Sequence, residues 1–268
     1  MVAKPFGRDD RVAALVARER ALVWTGVTGL TLGAWGYLVY LSRSMAEMPA
    51  GGAMAGMAPV LAPWTAADVA FTVAMWAVMM VGMMLPAAAP VILLFAAVNR
   101  KRREQGGMAV PTAIFVLAYL TVWSGFSVGA ALAQWGLQRA ASLSPTLATT
   151  RPIVGGLLLV AAGLYQLTPL KRVCLARCRS PLGWLMTEWR EGIAGALVMG
   201  LRHGAYCLGC CWVLMGLLFV AGVMNLVWVA VIAGFVLLEK VAPGGVLIGR
   251  IASAALVVAG LVMIAQSV

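Results

Sequence analysis

From residue 20 onward the chain repeats one pattern: a long apolar run, then a short break rich in polar residues, glycine or proline. Runs of about 20 apolar residues are what a helix needs to cross a hydrocarbon core about 30 Å thick. The pattern predicts spans at 20–42, 66–98, 111–137, 151–170, 193–221, 225–240 and 244–266. Lipid offers no water to backbone groups, so each run must satisfy its own hydrogen bonds as a helix. The expected fold is all-α: a polytopic transmembrane helix bundle of about seven spans, with residues 20–268 forming one helical domain. The fifth run is long enough to tilt, and the sixth is short. Residues 1–19, with "RDDRVAALVARER", read as an amphipathic lead-in on the cytoplasmic side. The first run is too long for a signal-peptide core, and no small-residue cleavage site follows it.

Composition agrees with the pattern. The chain is 63% hydrophobic and 11% charged, whereas soluble domains carry about 25% charged residues. The net charge of +11 raises the question of nucleic acid, but its distribution answers it. With the N-terminus cytoplasmic, 17 of the 20 Lys and Arg fall on the inner side, in the tail, Arg100–Arg103, the 171–190 segment with Arg202, and Lys240 and Arg250. Arg43, Arg139 and Arg151 fall outside. That is the positive-inside bias, so no nucleic-acid partner is expected. Membrane lipid is the expected surroundings, and the bacterial inner membrane the expected compartment. The segments 99–110 and 171–190 read as basic cytoplasmic loops, and 43–65 as an external loop.

Candidate chemistry gathers on sulfur. Nine of the 16 methionines lie between residues 45 and 84. Met45, Met48, Met54 and Met57 form two Met-x-x-Met pairs in the external loop. A thioether is soft, uncharged and stable to oxidising surroundings, which suits Cu(I). The alternative is a plain Ala/Gly/Met linker. In the second run, Met75, Met79 and Met83 recur every four residues, with Met80 and Met84 one position further round. Such a stripe also serves as adaptable packing. Pro86 and Pro90 interrupt the same helix and free a carbonyl.

The stretch "GLRHGAYCLGCCWVLMGLL" (200–218) holds the only histidine and three of the five cysteines. His203, Cys207 and Cys211 are spaced i, i+4, i+8, and Cys210 joins their face of the helix. Met215 extends that face by a turn. One buried thiol behaves as a small hydrophobe; three with a histidine on one face point to a ligand set. A closed Zn site draws ligands from separate elements, so a thiolate-rich, carboxylate-free set favours Cu(I) or another soft d10 ion. Cys174 and Cys178, in "KRVCLARCRSP", form a second pair beside four basic residues, readable as a cytosolic hand-off site or as two idle thiols. Asn225, and Glu239 with Lys240, read as local caps and ion pairing.

In order along the chain, "MMLPAAAP", "CLARCRSPL", "WREG", "YCLGCCWVLM", "GVMNLVW" and "LLEK" resemble the bacterial family termed domain of unknown function 2182, predicted metal-binding integral membrane proteins. The resemblance covers about residues 66–262. It falls on Met83, Met84, Pro86, Pro90, Cys174, Cys178, Cys207, Cys210, Cys211, Trp212, Met215, Met224, Asn225, Glu239 and Lys240, with Gly82 where alanine is expected. It implies a metal site in a membrane protein and no particular activity.

Together these readings predict a membrane protein that binds Cu(I), for transport or for delivery to a membrane cuproenzyme. The expected ligands are Met45, Met48, Met54 and Met57 outside, and Met79, Met80, Met83, Met84, His203, Cys207, Cys210, Cys211 and Met215 within. Cys174 and Cys178 would serve at the inner side. A copper protein or the subunits of a membrane complex are the expected partners. Two rivals stand beside this reading: a thiol–disulfide oxidoreductase cycling Cys207–Cys210, and an accessory or assembly subunit of a larger complex. No phosphate-binding glycine loop or nucleotide domain suggests an ATPase.

Overall fold

The computed structural model describes residues 8–46, 64–108, 110–139 and 152–267, with side chains described for 20–44 and the later segments. Met48, Met54 and Met57 lie outside the described residues, as does the side chain of Met45. Among the described residues there are ten helices and no strand. They are α1 (Arg8–Ala46), α2 (Ala66–Glu104), α3 (Thr112–Arg139), α4 (Pro152–Gln166), α5 (Pro169–Arg179), α6 (Pro181–Glu188), α7 (Gly192–Gly216), α8 (Leu218–Ala221), α9 (Leu226–Val241) and α10 (Gly245–Ala265).

Five stretches are long and apolar enough to cross a membrane alone: Arg20–Ser44, Ala66–Glu104, Thr112–Arg139, Gly192–Ala221 and Gly245–Ala265. The fourth expected span is instead a bent pair, α4 and α5 meeting at 63°, which makes six if counted as one. Leu167 and Thr168 form the break, Thr168 caps α5 and Pro169 opens it. The sixth expected span is the 16-residue α9, about 24 Å at 1.5 Å per residue. Large apolar side chains such as Leu117, Leu157, Leu247 and Leu261 point outward from the bundle, as lipid-facing helices require.

Two segments expected as loops are largely helical. Residues 99–104 complete α2, whose last turn carries Lys101, Arg102 and Arg103 against the negative end of the helix dipole. The 171–190 segment folds as α5 and α6, each started by a proline at its first turn. Residues 8–19 run on into the first span as one helix. Residues 222–225 form a tight turn between α8 and α9, with Gly222 at φ 94° and Asn225 N–H donating to Gly222 O at 3.0 Å.

The helices pack in pairs, α1 along α2, α3 along α7 and α4 along α10, with α2 against α3 and α5 across α7. Small residues allow the closest approaches. A Cβ at Gly200 would stand 2.4 Å from Phe115 O, and one at Gly204 would stand 2.8 Å from Val122 Cγ2. This Gly-x-x-x-Gly edge lets the α3 backbone touch α7. Gly156, Gly163 and Gly260 do the same for α4 and α10. Pro86 denies Gly82 O its helical donor, and Trp35 Nε1 from α1 donates to that oxygen at 3.3 Å. Buried Trp76 Nε1 donates to Gln134 Oε1 at 2.9 Å, tying α2 to α3.

Gly200→Val should force α3 off α7 and cost about 1–3 kcal/mol, as overpacking does. Gly216→Ala, which meets nothing within 4 Å, should be near neutral. Thermal unfolding in detergent checks the pair, and equal behaviour would contradict the close α3–α7 contact.

Candidate metal centre

The buried face of α7 carries Met199, His203, Cys207, Cys210, Cys211, Leu214 and Met215. Helical spacing places them there, and Gly200 and Gly204 let α3 close over them. Tyr119 of α3, fully buried, thereby reaches Cys207, with its hydroxyl 3.0 Å from Cys207 Sγ and 3.2 Å from Met84 O. Met84 supplies a second link from α2: Cys211 Sγ lies 3.8 Å from Met84 Sδ. The methionine face of α2 and the cysteine face of α7 therefore meet. Met79, Met80, Met83 and Met215 are buried in the same core. Among the described residues Met84 is the thioether in hydrogen-bonding contact with a thiol.

Cys174 and Cys178 do not form a separate solvated pair. Spaced i, i+4 on α5, they share one face, and that face packs on α7. Cys174 is buried, with its Sγ 2.7 Å from where a Cβ on Gly209 would stand. Cys178, half-buried, packs against the same core as Cys210. All five cysteines are free thiols and border one sulfur-rich interior.

Lys240, which the sequence reading did not place at the site, joins it. Lys240 Nζ lies 2.9 Å from Cys207 Sγ and is buried. Glu239 does not pair with Lys240. Neighbouring positions on a helix face different directions, and Glu239 Oε2 instead accepts from Lys171 Nζ at 2.7 Å, both side chains nearly solvent-free. Lys171 Nζ also donates to Gln166 Oε1. The end of α9 that presents this pair is capped by Arg179, which donates to the carbonyls of Glu239, Ala242 and Pro243.

His203 is 3% exposed and sits among aromatic rings, 5.1 Å from Trp184, 5.9 Å from Tyr119 and 6.2 Å from Phe115, centre to centre. Its Nδ1 is buried without a hydrogen-bond partner, a costly arrangement for a polar atom.

Among the described residues no group of three or more His, Cys, Asp and Glu is arranged to hold a metal ion. The thiols are engaged otherwise. Cys210 and Cys211 both donate to Cys207 O, at 3.1 and 2.9 Å, and the Lys240 ammonium stands against Cys207. Cysteine rotamers can turn off a carbonyl without moving the backbone. The donor set therefore fits a soft ion by chemistry, while its present contacts are those of a cluster closed on itself.

Diamide oxidation should join Cys178 to Cys210 within one chain when Cys174, Cys207 and Cys211 are changed to serine. Trypsin followed by non-reducing mass spectrometry reads the product. Only intermolecular disulfides would contradict the docking of α5 on α7.

No curated protein and no solved structure matches the chain. A family model described as PpoB2, copper chaperone, matches residues 73–263, from within α2 through nearly all of α10. That stretch contains all five cysteines, His203, Met84, Tyr119 and Lys240. On that match, which spans well over half of its length, the chain belongs to the PpoB2 copper chaperone family.

Proposed function

We propose that this protein binds Cu(I) at the buried thiol–thioether cluster and delivers it to a cuproprotein, in or at the bacterial inner membrane. The observation that carries this reading is the convergence of α2, α3, α5, α7 and α9 on one interior. There Cys207 meets the ammonium of Lys240, Cys211 meets Met84, and Cys210 and Cys178 pack in the same core. Thiolate and thioether sulfur select Cu(I) over hard ions. Membership of a copper chaperone family supports the same cargo.

Charge supports it as well. Cu(I) held by two thiolates carries one net negative charge. An isolated charge in an apolar interior is strongly disfavoured unless paired. The Lys240 ammonium beside Cys207 supplies the opposite charge, so the loaded cluster is neutral overall. Tyr119 and His203 border the same space, one offering a hydroxyl and the other an unpartnered ring nitrogen.

Arg202 precedes Cys207 by five residues, about 8 Å along the helix axis. Arg202 pairs with Glu188, and Arg177 lies over the ring of Tyr206. The cluster thus lies close to the basic, expected cytoplasmic end. Cys178 and Cys174 are its members on α5, nearest to that side. The Met-x-x-Met pairs Met45/Met48 and Met54/Met57 are the expected receiving ligands outside.

The packing of α5, with Cys174 and Cys178, against the cysteine face of α7 also favours a second reading, thiol–disulfide exchange between α5 and α7. Anaerobic Cu(I) titration against a chromogenic chelator separates the two. The copper reading predicts tight binding that is lost in Cys207→Ser/Cys210→Ser/Cys211→Ser. Lys240→Met should weaken it about 10- to 100-fold, the range found for groups that support metal ligands. Copper retained by the triple variant would refute the proposal. Absence of copper binding, with a disulfide that reduces and re-forms, would put the redox reading first.

A further inference from the structure

A second polar site lies beside the sulfur cluster and shares none of its ligands. Between α4, α5, α9 and α10 is a cavity of about 420 Å³. Its polar lining is Gln166, Lys171, Arg172, Arg179, Glu239 and Arg250. We propose that this cavity binds the phosphate oxyanion of an anionic ligand, either the phosphodiester of a lipid headgroup or free phosphate.

The lining holds four cations and one carboxylate. Glu239 would repel an anion, but Lys171 is paired to it at 2.7 Å. Arg179 is committed to the carbonyls of Glu239, Ala242 and Pro243 at the end of α9. Arg172 and Arg250 remain, both exposed, and neither has an ion-pair partner among the described residues. The cavity is therefore left with two uncompensated guanidinium groups.

Gln166 gives an independent observation. Its side chain is 7% exposed and its Oε1 accepts from Lys171 Nζ. Its Nε2 is buried with no partner. A buried amide N–H without an acceptor is a cost that a ligand oxygen would remove once rotation of the Gln166 side chain turned it into the cavity. Two guanidinium groups and one amide N–H are all donors, so the missing component is an acceptor rich in oxygen. Phosphate is the anion whose oxygens best match the fork of arginine.

The surroundings suit a lipid source. Leu167, Leu175 and Val246 give the cavity an apolar portion. Gln166, Leu167 and Lys171, at the 63° bend between α4 and α5, form part of its wall. Anionic headgroups concentrate at the cytoplasmic face and attract basic residues there.

The test uses native mass spectrometry of the purified full-length protein in detergent, offered dioleoylphosphatidylglycerol or dioleoylphosphatidylcholine. The phosphatidylglycerol should be retained in preference. Arg172→Gln/Arg250→Gln should lower its retention about 20- to 30-fold, at about fivefold for each basic side chain removed. Gln166→Leu should lower it without changing charge, while the exposed pair Arg20→Gln/Arg43→Gln should leave it unchanged. Circular dichroism checks that each variant is folded. Displacement of the lipid by inorganic phosphate, or phosphate binding alone, would assign the site to the free ion. Retention that phosphate does not displace would assign it to the headgroup. Equal retention of both lipids with no phosphate binding, or an equal loss in the Arg20/Arg43 pair, would overturn the proposal.

Discussion

An ammonium group held against a thiol inside an apolar bundle is the contact on which the rest of this structure depends. Lys240 Nζ and Cys207 Sγ stand 2.9 Å apart, both buried. Neither a lone cation nor a lone thiolate belongs in such an interior. Together they are tolerated, and they hold the last turn of α9 against the middle of α7. Arg179 closes the carbonyls of that turn, and Lys171 satisfies the neighbouring Glu239. α9 stops at Val241 because Pro243 holds Ala242 in extended conformation, and its inner end is left to polar contacts.

Backbone proximity makes the cluster dense enough to matter. Gly200 and Gly204 bring α3 onto α7, so that Tyr119 reaches Cys207. Gly209 leaves room for Cys174, which seats α5 across the same helix. Pro86 bends the hydrogen-bonding pattern of α2 near Met84, and Trp35 repairs the freed carbonyl. Met84 then meets Cys211. Sulfur from three helices is gathered by small residues and one proline rather than by any loop that wraps an ion. On the proposed function, a soft d10 ion, with little geometric preference of its own, would be adequately held by such a set.

Much of this could be read from the chain, and the remainder has identifiable causes. The apolar runs predicted the helices, and the i, i+4, i+8 spacing placed His203, Cys207 and Cys211 on the buried face of α7. The methionine stripe predicted a buried face for α2, but spacing alone could not show that Met84 would meet Cys211. Cys174 and Cys178 were read within a basic loop because charge obscured the helix. Yet Thr168 followed by Pro169 is a helix-start signal, and an i, i+4 pair shares a face. Glu239 and Lys240 were read as one local ion pair because they are adjacent, although adjacency on a helix turns two side chains apart. Their partners, Lys171 and Cys207, are 68 and 33 residues away. Tyr119 and Gln166 carry no local signal, since each gains its role only when another helix arrives.

The measurement that bears most directly on the central claim is X-ray absorption at the copper edge of the Cu(I)-loaded, full-length protein in detergent. The account predicts a first shell dominated by sulfur. In Cys207→Ser/Cys210→Ser/Cys211→Ser that sulfur shell should disappear along with the bound metal. A first shell of oxygen and nitrogen, or a sulfur shell unchanged in the triple variant, would contradict a copper site at the meeting point of α2, α7 and α9.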